Sequence, residues 1–284
     1  MQTLAKTTEE KYLIPKSFLQ SGYDLKITDT ISCKHPTVRE VLSIDEENLG
    51  LHSEEQYYAM VNLFLTDPYS YMVYLDDLGI DYEKSNSFEV FVLLYNDYIE
   101  KLEELSSACN GEQLNYLLQN NIYTKAFKFF FGIESFFIAK DENGDNVVAY
   151  GNNEFLFDKE TYPYIEEFIK RINGIPDVDK IYPEDEMSKQ ILLEDEREKL
   201  KRKIKHDDDE QKNIDRFGNL LSNVTWVSRS AITPFNRMEL HVFDLIDGFK
   251  KTDKLLNYKN TMIGLYSGCI EKKKININEI HWSN

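Results

Sequence analysis

Asn86-Ser-Phe-Glu-Val-Phe-Val-Leu-Leu-Tyr-Asn-Asp-Tyr-Ile-Glu-Lys-Leu102 is the stretch whose reading decides the fold class. Asn86 and Glu89 form a capping pattern: a short polar side chain accepts an early helical N–H, and an acid three residues on reaches back. Behind it, Phe88, Phe91, Val92, Tyr95, Ile99 and Leu102 recur at helical spacing over about five turns. A stripe of that length needs an apolar surface to lie on, so the segment predicts a long helix packed into a folded core.

The pattern repeats toward the N-terminus. Ser53 and Gln56 form a capping pair ahead of Tyr57, Met60, Val61, Phe64 and Leu65. Asp67-Pro68 is expected to open a further helix, with Gly79 placed to end it. Pro36 suits the first turn of a short helix carrying Val38, Val41 and Leu42, and the alternation from Lys26 to Cys33 reads as a strand.

The pattern changes in the middle of the chain. Phe136-Phe-Ile-Ala and Val147-Val-Ala-Tyr150 flank Asp141-Glu-Asn-Gly-Asp145, where Asn143-Gly144 is expected to supply the positive φ angles of a hairpin turn. Glu154 to Phe157 reads as a third strand. Asp158 then caps a helix bearing Ile165, Phe168, Ile169 and Ile172, with Gly174 just beyond. Asp141, Asn143 and Asp145 suggest a calcium loop only superficially, because the glycine comes one place early and position twelve is Asn152 instead of Glu.

Pro176 to Pro183 reads as a linker. Glu194 to Lys212 holds eight acids and seven bases with only Leu200 and Ile204 aliphatic, which predicts a charged helix serving as a solvated spacer. An apolar stripe resumes at Ile214, Phe217, Leu220 and Leu221. Thr233-Pro234 is expected to start a helix with Phe235, Met238, Val242, Leu245, Ile246 and Phe249 on one face. A shorter helix follows over Leu255 to Leu265, and Ile275 and Ile277 read as a final strand ending near Trp282. The expected architecture is α+β, predominantly helical, with a central β-hairpin or small antiparallel sheet near 136–157. Its parts are an N-terminal domain over 1–175, a linker and charged helix over 176–212, and a C-terminal helical part over 213–284.

Composition narrows the function. Fifty Asp and Glu oppose thirty-three Lys and Arg, for a net charge of −17. That balance argues against nucleic acid, whose binding draws on a basic face, and against an anionic membrane. The charge is uneven: residues 1–110 hold 20 acids and 8 bases, whereas 250–284 hold 3 acids and 7 bases. Such polarity could steer assembly between copies of the chain or with a basic partner, and salt would weaken it. Cys33, Cys109 and Cys269 are far apart and fit buried thiols of a reducing compartment. Met1 to Asp24 lacks the apolar stretch of a signal peptide, and Val90 to Tyr95 is far too short for a membrane span.

Catalytic signatures are missing. Phosphate-binding glycine loops and nucleophile elbows are absent, the five histidines are scattered, and the adjacent acids Asp76-Asp77 and Glu103-Glu104 diverge on a helix. The reading is a non-enzyme with no catalytic residue, no cofactor and no metal. The tyrosines are more informative. Tyr57, Tyr58, Tyr69, Tyr71 and Tyr74 gather around the Asp67-Pro68 turn, and a tyrosine packs its ring while keeping its hydroxyl wet, as interfaces favour. The candidate protein-binding residues are Tyr57, Tyr58, Met60, Phe64, Tyr71, Tyr74, Phe91 and Tyr95.

Two stretches carry a resemblance. Ile31-Ser-Cys-Lys-His-Pro-Thr-Val-Arg-Glu-Val41, with Leu75-Asp-Asp-Leu-Gly-Ile-Asp-Tyr-Glu83 and Phe88-Glu-Val-Phe91, resembles tail-cluster morphogenesis proteins of long-tailed phages of Gram-positive bacteria. Ser222-Asn-Val-Thr-Trp226, Met238-Glu-Leu-His241, Tyr266-Ser-Gly268 and Ile280-His-Trp282 are similar to the later part of tail assembly chaperones. The resemblance implies a chaperone of the host cytoplasm that coats the tape-measure protein and helps recruit tail-tube subunits, with self-association a further expectation. It transfers no site residues. The competing readings are a structural virion component and a carboxylate-dependent enzyme.

Overall fold

The computed structural model describes residues 13–45, 52–106, 121–178, 180–206, 216–226, 232–270, 275–276 and 281. The chain is α+β and predominantly helical, with two small antiparallel sheets. It divides into two compact units, one drawing on Met1–His35 and Glu55–Ile214, the other on Pro36–Glu54 and Asp215–Asn284.

The first unit contains α1 (Lys16–Gln20) and the paired strands β1 (Leu25–Lys26) and β2 (Ser32–Cys33). The single strand expected over 26–33 is thus two short ones, because Thr28 folds the chain back by accepting the N–H groups of Thr30 and Ile31. The body of α3 (Ser53–Asn62) follows, then α4 (Met72–Asp77) and α5 (Ser87–Ser106). The cap read from Asn86 and Glu89 forms in both directions, at 2.9 and 3.1 Å. At Asp67-Pro68 the helix does not begin at once. Asp67 accepts the Tyr69 N–H in a turn, and α4 starts only at Met72. It stops where Gly79 takes φ +72° and Ile80 donates back to the Leu75 carbonyl.

Helix α6 (Ile122–Phe131) is capped by Asn121 and ended by the left-handed Gly132. Strands β3 (Phe136–Lys140), β4 (Asn146–Tyr150) and β5 (Glu154–Phe157) form an antiparallel meander in that order, with a bulge at Val148/Ala149. In the 141–145 loop only Gly144 has positive φ. Asp141 organises the rest by accepting the N–H groups of Asn143 and Asp145, so asparagine needs no left-handed conformation. Helix α7 (Tyr162–Ile172) follows the Asp158 turn, and α8 (Glu186–His206) completes the described part of this unit.

The first unit's core is aromatic. Phe64, Phe91, Phe127, Phe130, Phe157 and Tyr162 are buried in one network of ring contacts, with centroids 5.3 to 6.3 Å apart in pairs such as Phe91–Tyr162 and Phe91–Phe127. Thr66 ties the Tyr162 hydroxyl at 2.8 Å and the Ser87 carbonyl at 2.9 Å, satisfying polar atoms that burial would otherwise make costly. Glu167 of α7 accepts the N–H groups of Leu13 and Ile14, and Arg171 donates to the Ile14 carbonyl.

In the second unit, α2 (Val38–Leu42) is capped by Thr37 and Glu40, so Pro36 lies just outside the helix. Thr37 bridges His241, and Val38 and Val242 donate to the carbonyls of Leu240 and Pro36. Ser53 does not close the expected capping box with Gln56. Its hydroxyl donates to Leu42 and accepts the Asp45 N–H. Helix α9 (Arg216–Trp226) buries Phe217, Leu221 and Val224 and packs on α10 (Val242–Tyr266), whose Val242, Leu245 and Ile246 are buried; Val224 lies beside Phe249 and Leu256. Two expectations are corrected here. No helix starts at Thr233-Pro234; a 3₁₀ turn at Arg237–Glu239 intervenes, and Phe235 is 94% exposed. The two helices expected after it are one continuous α10. Cys33 is buried and Cys269 exposed, while Cys109, Ile277 and Trp282 lie outside the described residues.

Candidate protein-binding surface

The tyrosine-rich turn between α3 and α5 is laid down by local chemistry. Asp67 and Pro68 fold residues 67–71, and α4 sends Met72 and Leu75 inward together with Tyr82. A separate apolar cluster results: Met72, Leu75, Tyr82 and Val90 are buried with Leu193 of α8, and Tyr69, Tyr71 and Tyr74 pack around them. The helix read as a solvated spacer is thus docked on this turn. Lys189 lies 4.9 Å from the Tyr82 ring centroid and pairs with Asp81 at 2.5 Å and Glu83 at 3.1 Å. Arg197 spans Asp76 and Asp77 at 2.6 and 2.7 Å, and Lys180 pairs with Asp67 while lying over the Tyr69 ring.

The electrostatics follow from these contacts. The ammonium groups of Lys189 and Lys84 pull the Asp81 carboxyl down to about 2. Burial opposes the charge of Lys189, but its bonds to Asp81 and Glu83 prevail and raise its pKa. Burial, followed by neighbouring Tyr182 and Glu83, pushes the Tyr69 phenol up to about 12, and burial also raises Tyr71 and Tyr74. These phenols stay protonated at neutral pH and act as packing and hydrogen-bonding groups.

The structure separates the eight residues read as an interface. Tyr57, Met60, Phe64 and Phe91 are fully interior; Tyr57 meets Phe129 and Phe130, and Phe64 stacks on Phe91. They offer no surface to a partner. Tyr58, Tyr71, Tyr74 and Tyr95 are half-buried. Tyr71 and Tyr74 pack on the cluster beneath α8, while Tyr95 meets Tyr123 and Phe136, 5.1 and 4.9 Å away.

The exposed apolar surface of this region lies beside those residues. Ile181, Tyr182, Met187 and Ile191 are 60, 68, 72 and 59% exposed, and Tyr182 meets the Tyr69 ring at 5.6 Å. Ile181, Tyr182, Ile191 and Leu192 bound a groove of about 310 Å³ with Glu184 and Asp195 at its rim. The sequence offered one signal for it: Met187 and Ile191 are one turn apart, just ahead of the charged block. Among the described residues, no group of three or more His, Cys, Asp or Glu side chains could hold a metal ion, and no helix is long and apolar enough to cross a membrane. In the 141–145 loop, Asp141 is engaged by backbone N–H groups and Asp145 pairs with Lys159 at 2.7 Å.

No curated protein and no solved structure matches the chain. Residues 209–284 match the family model of the YomV second domain, a phage-associated family, and the match begins just before the Asp215 at which the chain returns to its second unit. The match covers 76 of the 284 residues.

Proposed function

We propose that the chain is a non-enzymatic phage morphogenesis factor, a tail assembly chaperone or close relative, that acts in the host cytoplasm by binding tape-measure and tail-tube proteins. The observation that carries this reading is the exposed apolar patch of Ile181, Tyr182, Met187 and Ile191 around the groove beside α8. A contiguous patch of this kind, rimmed by charge, marks a protein-interaction site, and a groove along a helix suits the apolar stripe of an amphipathic client helix. The phage-associated match and the resemblance to tail-cluster proteins supply the kind of client.

Co-expression with the tape-measure and tail-tube proteins of the same phage tests it. Both clients are expected to co-purify with the chain, and Ile191→Asp, an exposed change that the fold tolerates, is expected to reduce their recovery at least about tenfold. If neither client co-purifies and tails assemble without the chain, the proposal is wrong.

A further inference from the structure

The groove beside α8 has a charge as well as a shape. Ile181, Tyr182, Ile191 and Leu192 supply its apolar surface, and Glu184 and Asp195 stand among them. Glu194, one turn beyond Ile191, continues the exposed face of the helix. Among the described residues, none of these three carboxylates is ion-paired, because the bases of the region are engaged elsewhere. Lys180 pairs with Asp67, Lys189 with Asp81 and Glu83, Arg197 with Asp76 and Asp77, Lys199 with Glu196, and Arg202 with Glu198. The groove therefore presents apolar surface set in uncompensated negative charge.

That combination specifies the chemistry of an occupant. Apolar surface alone would take any apolar segment. Covering the groove strips water from the carboxylates in its wall, so a neutral or acidic segment leaves them at a cost, whereas Lys or Arg beside the apolar residues replaces the water with charge-assisted bonds. We propose that the groove beside α8 binds a basic amphipathic helix of a partner protein. Its apolar side chains, at i, i+4 and i+7, pack against Tyr182 and Ile191, and lysines or arginines flanking that stripe pair with Glu184, Glu194 and Asp195. The inference rests on the reading of the groove as a helix-binding site and specifies which helices enter it. Apolar burial supplies most of the affinity, because exposed ion pairs add little each. The acidic rim supplies the choice, by rejecting helices with carboxylates along the stripe, and makes the contact salt-dependent.

Fluorescence anisotropy with the full chain and model peptides tests this. One labelled peptide of about eighteen residues carries leucines at i, i+4 and i+7 with lysines on the flanks; two others replace the lysines by glutamine or by glutamate. The lysine peptide is expected to bind at least about tenfold tighter than the glutamine peptide, and the glutamate peptide weakest. Raising salt from about 50 mM to about 500 mM should weaken the lysine peptide about tenfold. An acidic chain attracts any cation, so two exposed-site variants, checked for folding by circular dichroism, assign the binding to the groove. Ile191→Gln should weaken the lysine and glutamine peptides alike. Glu184→Gln combined with Asp195→Asn should bring the lysine peptide down about tenfold and leave the glutamine peptide unchanged. Equal affinity for the lysine and glutamine peptides overturns the proposal, as does lysine-peptide binding that neither variant alters. Self-association of the wild type that Ile191→Gln abolishes would make a second copy the occupant and overturn it too. Client capture separates the two readings. Tape-measure and tube proteins that co-purify with the wild type, and equally with the Glu184→Gln/Asp195→Asn variant and at high salt, would refute this inference alone. The expected peptide preference without client capture would refute the proposed function alone.

Discussion

Leu193→Ala is the sharpest probe of how α8 is held. Leu193 is 6% exposed and sits among Met72, Leu75, Tyr82 and Val90, while Met187, Ile191 and Leu200 of the same helix face outward. Leu192 is half-buried, the Arg197 pairs are exposed enough to be worth about 1 kcal/mol or less each, and Lys189, largely buried over the Tyr82 ring, is the stronger polar anchor. Truncating a buried leucine costs about 2–5 kcal/mol; a helix covering a cluster from one side can settle into the gap, so about 2 kcal/mol applies here. At 1.4 kcal/mol per tenfold, the undocked population should rise about thirtyfold. Once undocked, a charged helix of 21 residues is marginal in water and its amides exchange, so hydrogen exchange reads docking directly. Protection over 186–206 is expected to fall about thirtyfold, with α5 and α7 unchanged. Unchanged protection in α8, or equal loss in all three helices, would refute the reasoning.

Other perturbations bear on the same scaffold. Asp81 has its pKa lowered to about 2 from 3.8, so its contribution is complete above about pH 4 and is lost as pH falls through about 2. Thermal melts over that window should show a smaller loss of stability in Asp81→Asn than in the wild type. Gly79→Ala meets nothing within 4 Å, so its cost is only the left-handed backbone at φ +72°, about 1 kcal/mol; Gly79→Asn should recover part of it in denaturant titrations. Thr66→Val keeps the shape but removes the shorter of the Tyr162 hydroxyl's bonds, leaving the Phe64 carbonyl at 3.4 Å, and the side-chain bond to the Ser87 carbonyl, so a loss of about 1 kcal/mol is expected, with Thr66→Ser close to wild type.

The helices legible in the sequence are those whose periodicity and end chemistry agree. Asn86 and Glu89 announce α5, and its stripe of Phe88, Phe91 and Leu102 is buried as the spacing requires. The central meander is legible for a similar reason: alternating apolar runs flank a loop that only a glycine with positive φ can turn. Boundaries were misplaced where a side chain offered the backbone an alternative bond. Asp67 holds a turn open for a further few residues, and Thr37 takes the cap that Pro36 seemed to precede.

The candidate site was less legible, and the tyrosines explain why. An aromatic stripe at helical spacing is the same pattern whether it faces a core or a partner, so Tyr57, Met60 and Phe64 could equally have been either. What decides is the supply of facing surface, here Phe127, Phe129 and Phe130 of α6, some seventy residues on in sequence. The charged helix failed for the opposite reason. Only Leu193 among its described side chains is buried, too little to create a period, and its anchors Asp76 and Asp77 lie about 120 residues away from Arg197. Yet the same charge that hid α8 is what distinguishes its groove: an apolar patch set among carboxylates selects a basic amphipathic helix over a neutral one. A client helix held there through lysines should therefore be released as the salt concentration is raised.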